Sequence, residues 1–292
     1  MSGQTSVPNG IKFFIGGVSG MAATCFVQPL DLIKNRMQLS GSKTSTFTVI
    51  SSILKNEGIF ALYSGLSAGL LRQATYTTTR LGIYTWLFEY ASQEGQPSFL
   101  VKAGIGMAAG CVGAFVGTPA EVALIRMTAD GRLRIADRRN YKNVFDALFR
   151  IIKEEGLFTL WRGAIPTMGR AMVVNAAQLA SYSQAKQVLL DTGYLKEGIN
   201  LHFASSMISG LVTTAASMPV DIAKTRIQNM KTIDGKPEFK GAIDVLTKVV
   251  RYEGLFALWK GFIPYYARLG PHTVLTFIFL EQMTAAYKTN FS

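Results

Sequence analysis

Apolar segments rich in small residues alternate with polar, charged segments along the whole chain. The alternation predicts long helices, one from about residue 11 to 39 and others at about 68–91, 166–189 and 264–288. A shorter amphipathic helix is expected at about 47–56. No long run is purely apolar. Helices that line a wet cavity need only one lipid-facing side, so membrane-spanning helices can carry this pattern.

A proline motif occurs three times and indicates three structural units. Each copy has an acidic residue two positions after the proline and basic residues beyond the acid. The copies are Pro29, Asp31, Lys34 and Arg36; Pro119, Glu121 and Arg126; and Pro219, Asp221, Lys224 and Arg226. Since a proline inside a helix removes a backbone hydrogen bond, each copy predicts a bent helix with opposite charges just past its bend. Three such helices around one axis could exchange these charges in a ring.

A second motif keeps register with the first. An acidic residue and a glycine precede an aromatic residue and another glycine, and the copies recur at intervals of 98 residues. They are Glu57-Gly58 with Tyr63-Ser64-Gly65, Glu155-Gly156 with Trp161-Arg162-Gly163, and Glu253-Gly254 with Trp259-Lys260-Gly261. An arginine stands seven positions after the last glycine of every copy, at Arg72, Arg170 and Arg268. Three signals in register make the units repeats of one cooperative body.

Composition narrows the function classes. The chain has 292 residues, of which 49% are hydrophobic and 28 are glycine, and these values point toward lipid. Cys25 and Cys111 lie in apolar runs and are expected to be buried thiols rather than a disulfide. His202 and His272 lack the spacing of a metal site, so we expect neither a zinc centre nor a catalytic triad. The first ten residues show no secretory signal, so any organelle targeting is expected to be internal.

The net charge of +12 admits nucleic acid, an anionic membrane or anionic substrates as partners. Basic residues gather after the proline motifs, whereas the connections 90–102 and 187–202 are nearly balanced. That asymmetry is typical of the two sides of a membrane protein and favours the last two partners. Nucleic acid is not expected, because no recognised nucleic-acid motif accompanies the charge.

These motifs resemble those of the mitochondrial carrier family over roughly residues 10–288. The resemblance implies an all-α membrane protein of six transmembrane helices in three pseudo-symmetric repeats, with short amphipathic helices on the matrix side. The repeats are expected at 1–95, 96–196 and 197–292. The resemblance further implies a monomer in the mitochondrial inner membrane, with both termini toward the intermembrane space.

Transport without a cofactor, rather than catalysis, is the implied activity. Exchange of 2-oxoglutarate for malate or related dicarboxylates by alternating access is expected from the resemblance. Two alternatives stay open: a carrier-fold protein that acts as a proton leak or a receptor, and a soluble helical-repeat binding module. The intact set of arginines disfavours the first, and the apolar runs, which would aggregate in water, disfavour the second.

Candidate substrate-binding residues lie on three predicted helices. They are Arg72, Tyr76 and Arg80 on the second, Arg170, Asn175 and Gln178 on the fourth, and Arg268 on the sixth. Arginine stays charged and binds carboxylates bidentately, so this set suits a small dianion. The alternative for the stripe on the second helix is an internal ion-pair face, which we disfavour because that helix offers only Glu89, near its far end. The resemblance itself implies contacts at Arg80, Arg170 and Arg268.

The resemblance also implies a gate toward the matrix, formed by the charges after the prolines. It pairs Glu121 with Lys224 and Asp221 with Lys34. Leu124 occupies the basic position opposite Asp31, so two ion pairs rather than three are expected there. Gln38 and Gln228 are expected to brace the pairs by hydrogen bonding, with Thr128 as a shorter substitute.

A weaker gate toward the cytoplasm is implied at the opposite end by Glu89, Lys186 and Glu281. Elements similar to the cardiolipin-binding motifs of the family occur as well, and cardiolipin is the expected bound lipid. They comprise Trp161, Arg162, Gly163, Trp259, Lys260, Gly261, Phe239 and Gly241. The spacing of Gly106, Gly110 and Gly113 separately predicts a close helix-packing face.

Overall fold

The computed structural model describes residues 9–40, 45–93, 98–133, 135–191, 199–230, 232–233 and 236–291. Six long helices are α1 (Asn9–Gln38), α3 (Leu66–Ala91), α4 (Phe99–Asp130), α6 (Ala164–Asp191), α7 (Ile199–Asn229) and α9 (Phe262–Phe291). Three shorter helices are α2 (Thr46–Asn56), α5 (Val144–Glu155) and α8 (Ala242–Glu253). Short 3-10 helices span Ile59–Tyr63, Ile135–Asp137, Leu157–Trp161 and Leu255–Trp259, and a hairpin pairs β1 (Thr232–Ile233) with β2 (Lys236–Pro237). The all-α fold expected from the sequence is confirmed.

The motif prolines lie inside long helices, as predicted. Pro29 is in α1, Pro119 in α4 and Pro219 in α7. Each removes one backbone hydrogen bond, so the helix bends there without ending. The last helix contains a further proline, Pro271, that the repeat pattern did not predict.

The six long helices close into a ring. α1 packs against α3 and α9, α4 packs against α3 and α6, and α7 packs against α6 and α9. The three bent helices α1, α4 and α7 also contact one another across the interior. Chain order therefore follows the ring, and each repeat supplies two neighbouring long helices and one short helix.

The short helices cover one end of the ring, which we call the short-helix end. The end where α1 begins and α9 finishes is the chain-terminus end. α2 packs Val49 and Ile53 against Leu32 and Ile33 of α1. In the same way α8 buries Val245 and Val249 against Ile222 of α7. Most of the apolar core therefore lies around the charged segments that follow the prolines.

The outer surface of the ring is apolar. Large exposed side chains include Phe14, Phe26, Leu100, Phe115 and Leu211 on the long helices. Among the described residues, Leu100–Asp130 alone is both long and apolar enough to cross a membrane by hydropathy. The other helices place polar residues toward the interior, and this lowers their mean hydropathy while the outer face stays apolar.

Glycines of α4 allow its neighbours to approach closely, but only some of them. A Cβ on Gly110 would lie 3.2 Å from Asn175 Nδ2 of α6, and one on Gly113 would lie 3.1 Å from Arg80 Cβ of α3. A Cβ on Gly106 would meet nothing within 4 Å. The predicted packing face is therefore wrong at Gly106, and the other two glycines serve two different neighbouring helices.

Candidate functional site

The charges that follow the prolines meet where the three bent helices contact one another. Lys34 Nζ lies 2.8 Å from Asp221 Oδ2, which joins α1 to α7. Lys224 Nζ lies 2.6 Å from Glu121 Oε1, which joins α7 to α4. None of these four residues is more than 8% exposed. Exclusion of water strengthens each attraction, and it makes the loss of either partner costly.

Asp31 has a partner that the sequence did not predict. Leu124 is 6% exposed and packs in an apolar cluster with Ala68 and Val144, so α4 offers Asp31 no charge. Instead Arg268 of α9 places Nη1 2.9 Å from Asp31 Oδ1. The expectation of only two inter-helix ion pairs is therefore wrong. The proline motif occurs on the bent helices α1, α4 and α7, whereas this partner lies on α9.

Arg170 also binds an acid of a bent helix. Its Nε forms an ion pair with Asp221, and its Nη2 donates a hydrogen bond of 2.7 Å to the Tyr265 hydroxyl. The Lys34 ammonium lies 4.1 Å from the centroid of the Tyr265 ring, a cation–π contact. Asp221 therefore holds one cation from α1 and another from α6. The acidic partners of Arg170 and Arg268 thus come from neighbouring helices.

The candidate residues on α3 lie at different depths. Arg72 is half-buried and close enough to Glu121 for their charges to interact. Its Nε is buried without a hydrogen-bond partner among the described residues. Tyr76 is half-buried against α4, and Arg80 is exposed. Arg72 alone of these three therefore lies close to the ion pairs between the bent helices.

The candidate residues on α6 separate as well. Asn175 is half-buried and donates from Nδ2 to the Ala171 carbonyl oxygen at 2.8 Å. Gln178 is exposed, and its backbone carbonyl oxygen accepts a hydrogen bond from the Ser209 hydroxyl of α7. Both residues lie one or two turns beyond Arg170, toward the chain-terminus end.

The two glutamines differ in what they hold. Gln228 Nε2 donates to Glu121 Oε2 at 3.4 Å and so supports the Glu121–Lys224 pair as expected. Gln38 Oε1 accepts from the Thr225 hydroxyl at 2.8 Å instead of from an ion-paired lysine. Thr128 Oγ1 donates to the Leu124 carbonyl oxygen of its own helix. Gln228 thus hydrogen-bonds to an ion-paired acid, while Gln38 and Thr128 have other partners.

Three arginine–glutamate pairs were missed by the sequence reasoning. In each repeat a bidentate ion pair joins the bent helix to the end of the following short helix. The pairs are Arg36 with Glu57, Arg126 with Glu155, and Arg226 with Glu253. Both sequence motifs already contained these residues, and their shared threefold register was the signal. The arginines are 3%, 0% and 13% exposed in their side chains, so the pairs form part of the core.

The same arginines link each repeat to the next. Arg36 Nε donates to the Thr128 carbonyl oxygen at 2.9 Å, and Arg126 Nε to that of Gln228 at 3.3 Å. Arg226 Nε closes the cycle by donating to the Gln38 carbonyl oxygen at 3.3 Å. Each guanidinium therefore connects a short helix of its own repeat with the final turn of the next bent helix.

The opposite end of the ring has no matching closure in the described part of the chain. Glu89 and Glu281 are exposed, and neither is paired with a described basic side chain. Lys186 is half-buried on α6. The buried ion pairs of the bent helices therefore lie toward the short-helix end alone.

The motif glycines begin the second long helix of each repeat. Gly65, Gly163 and Gly261 have φ values of +82°, +83° and +85°. A Cβ on Gly163 would lie 2.9 Å from Gln228 Cγ, so this position needs glycine for its conformation and for close packing on the next repeat. The neighbouring residues have internal contacts too: Trp259 donates to Ala215, and Lys260 to Ser40. The motif is thus structural whether or not lipid binds there.

The remaining lipid candidates also pack inside the protein. Phe239 lies against the apolar cluster between α7 and α8, and Gly241 is the N-cap of α8. The ring of Trp161 lies 5.9 Å from that of Phe115, centroid to centroid, and Arg162 pairs with Glu155 at 3.4 Å.

A closed ring of six long helices, an apolar exterior and ion pairs that join three repeated units define a membrane carrier of the three-repeat class. The sequence profile described as mitochondrial carrier protein matches residues 5–94, 95–193 and 196–291. The chain therefore belongs to the mitochondrial carrier family, whose members are transporters of the mitochondrial inner membrane and not enzymes.

Curated relatives carry a more specific name. The chain is 71% identical over 292 residues to the mitochondrial 2-oxoglutarate/malate carrier protein of Bos taurus and of Homo sapiens. Each alignment covers 97% of this chain and 93% of the relative. The protein of the same name from Caenorhabditis elegans is 66% identical over 293 residues, covering 98% of this chain and 96% of the relative.

Proposed function

We propose that this protein is an antiporter that exchanges 2-oxoglutarate for malate, or for related dicarboxylates, by alternating access across the mitochondrial inner membrane. Relatives at 66–71% identity are named after these two substrates. Both substrates are dianions at neutral pH, and the net charge of +12 favours their approach.

The observation that supports the proposal is that two arginines already bind carboxylates of the bent helices, toward the short-helix end of the ring. Arg170 of α6 binds Asp221, and Arg268 of α9 binds Asp31. A guanidinium binds any carboxylate through the same planar N–H groups. The two arginines are therefore suited to the two carboxylates of a small dicarboxylate.

Substrate binding then opens the short-helix end by exchange of partners. A dicarboxylate that enters from the chain-terminus end competes with Asp31 and Asp221 for the two arginines. Asp31 loses its charged partner, whereas Asp221 keeps Lys34. The bent helices are then held together less strongly, and no covalent step is needed. The substrate shifts the equilibrium from the closed to the open short-helix end, because it binds the arginines more strongly when Asp31 and Asp221 no longer pair with them.

Residues on α3 and α6 complete the site in this proposal. Arg72 and Arg80 add positive charge, and Tyr76, Asn175 and Gln178 add hydrogen-bonding groups. The short-helix end faces the matrix and both termini face the intermembrane space. After opening to the matrix, Glu89, Lys186 and Glu281 contribute to closure of the opposite end.

Lipid binding and subunit number belong to the proposal as well. Cardiolipin phosphate binds beside Gly163, Gly241 and Gly261, where the N-termini of α6, α8 and α9 present backbone N–H groups. The six helices surround the interior within one chain, and this supports function as a monomer.

Counter-exchange in liposomes tests the proposed function. Purified protein is reconstituted with internal malate, and uptake of external labelled 2-oxoglutarate is measured. We expect uptake that depends on internal dicarboxylate and saturates. Equal uptake into vesicles without internal substrate, or proton conductance without exchange, would replace the antiporter with the leak alternative.

A further inference from the structure

We propose that His272 is a specificity-determining residue that donates a hydrogen bond from Nε2 to the oxygen on C2 of the substrate. The inference rests on the proposed function and deepens it. The arginines account for the two carboxylates, so the oxygen on C2 needs a hydrogen-bond donor of its own.

His272 lies beside the substrate-binding arginine of its own helix. It follows Arg268 by four positions on α9, so the two side chains share one face. The charges of Arg268, of Asp31 on α1 and of Arg72 on α3 all act on the imidazole. Its ring is thus placed between three helices, next to the Asp31–Arg268 ion pair.

The polar atoms around this ring lack acceptors. His272 Nε2 is buried without a hydrogen-bond partner among the described residues, and the same holds for Arg72 Nε and Arg268 Nε. His272 Nε2 and the Nε atoms of the two arginines whose charges act on it are therefore buried without partners in the described part of the chain. Most buried polar groups in proteins have a hydrogen-bond partner. A ligand rich in acceptor oxygens would supply partners for these three nitrogen atoms.

The chemistry of the two substrates explains why an imidazole stands here. Malate has a hydroxyl on C2 and 2-oxoglutarate has a keto oxygen, and both oxygens accept a hydrogen bond. A neutral imidazole N–H can donate to either. Succinate and glutarate have the same carboxylates without that oxygen. A site that donates a hydrogen bond to the C2 oxygen therefore favours malate over succinate and 2-oxoglutarate over glutarate.

Discrimination between malate and succinate tests the inference. Half-saturation constants for exchange against internal 2-oxoglutarate are measured for the unmodified protein, H272Q and H272F. Gln keeps a donor at about the distance of Nε2, whereas Phe keeps the ring shape without a donor. We expect H272F to raise the constant for malate about 10-fold, the effect of one hydrogen bond, with a smaller change for succinate. H272Q should keep most of the discrimination.

A fourth variant guards against a folding defect. If H272F is not recovered as folded protein, H272N replaces it, because the shorter Asn amide cannot reach the Nε2 position. Equal malate-to-succinate ratios in the unmodified protein and in the donor-deficient variant would overturn the role of His272 while leaving the antiporter intact. A failure of all proteins, including the unmodified one, to exchange any dicarboxylate would instead overturn the proposed function.

Discussion

At the scale of single residues, Arg268 supplies the cation for Asp31 that Leu124 cannot supply. The sequence showed that α4 lacks a basic residue opposite Asp31, and from that the ring was expected to be one pair short. The structure fills the position from α9. A residue proposed to bind substrate thereby also holds the short-helix end closed, which makes closure sensitive to substrate.

The first prediction separates these two tasks of Arg268. Arg268→Ala leaves Asp31 buried and unpaired, so it should lower both exchange and thermal stability. Adding Asp31→Asn removes the unpaired charge and should recover stability, by about 3 kcal/mol, without recovering exchange. Thermal unfolding in detergent and liposome exchange are measured on all three variants. Arg150→Lys, at an exposed ion pair on α5, serves as the control and should change neither. Full exchange by the double variant would show that Arg268 does not bind substrate.

A second prediction concerns Leu124. Leu124→Lys should destabilise the protein by about 2–4 kcal/mol, because it removes a buried apolar side chain and puts a charge into the apolar cluster with Ala68 and Val144. A double-mutant cycle with Asp31→Asn, read by thermal stability, should show little favourable coupling. A stabilising Leu124→Lys that depends on Asp31 would mean that the ring accepts a third pair between bent helices.

At the scale of elements, each bent helix is fixed to a short helix by an arginine–glutamate pair. The threefold recurrence of an arginine and a glutamate, as at Arg126 and Glu155, was visible in the sequence. Their pairing was not, because the loop and the short helix between them set how they approach each other. The positions of the motif prolines inside long helices were predicted for the opposite reason, because the helical pattern around each proline is a local property. Local chemistry was therefore predictable, and the resemblance supplied the pairs of Lys34 with Asp221 and of Lys224 with Glu121. The acidic partners of the arginines were not predicted.

The third prediction uses pH on one of these pairs. Burial alone would raise the pKa of Glu155, but the hydrogen bonds and charge of Arg126 hold it below its ordinary value of 4.5. A lowered pKa in the folded state means that the pair stabilises the protein above pH 4.5 and that this contribution is lost as the pH falls further. Glu155→Gln should therefore lower the melting temperature at pH 7, and the difference should shrink on acidification below 4.5. A difference independent of pH would show that the charge of Glu155 is not what stabilises α5.

The fourth prediction compares two glycines of α4. Gly110→Leu should impair both stability and exchange, because even a Cβ lies within 3.2 Å of the Asn175 amide on α6. Gly106→Leu is the matched control and should be tolerated, since its Cβ meets nothing within 4 Å. Equal behaviour of the two variants in thermal unfolding and liposome exchange would refute close packing between α4 and α6 at Gly110.

At the scale of the whole molecule, the threefold repeat made the fold predictable. The candidate site depends on positions at which the three repeats differ. Two motifs that each occur three times indicated three units with one proline-containing helix each, and the family resemblance implied six long helices. The candidate site breaks the symmetry at Leu124, Arg80 and Asn175, where each repeat has its own residues. The sequence indicated the arginines of the candidate site but not their acidic partners on neighbouring helices. Those partners are what connect the site to the closed end.

The affinity of an Asp31→Asn variant for 2-oxoglutarate is the most direct test of that connection. If the substrate must displace Asp31 from Arg268, loss of the acid removes a competitor, and the variant should bind 2-oxoglutarate about 10-fold more tightly, measured by calorimetric titration of purified protein. Asp31→Glu, which keeps the charge, should bind like the unmodified protein. Unchanged or weaker binding by Asp31→Asn would contradict the account, because it would show that the arginine of the site is not shared with the gate.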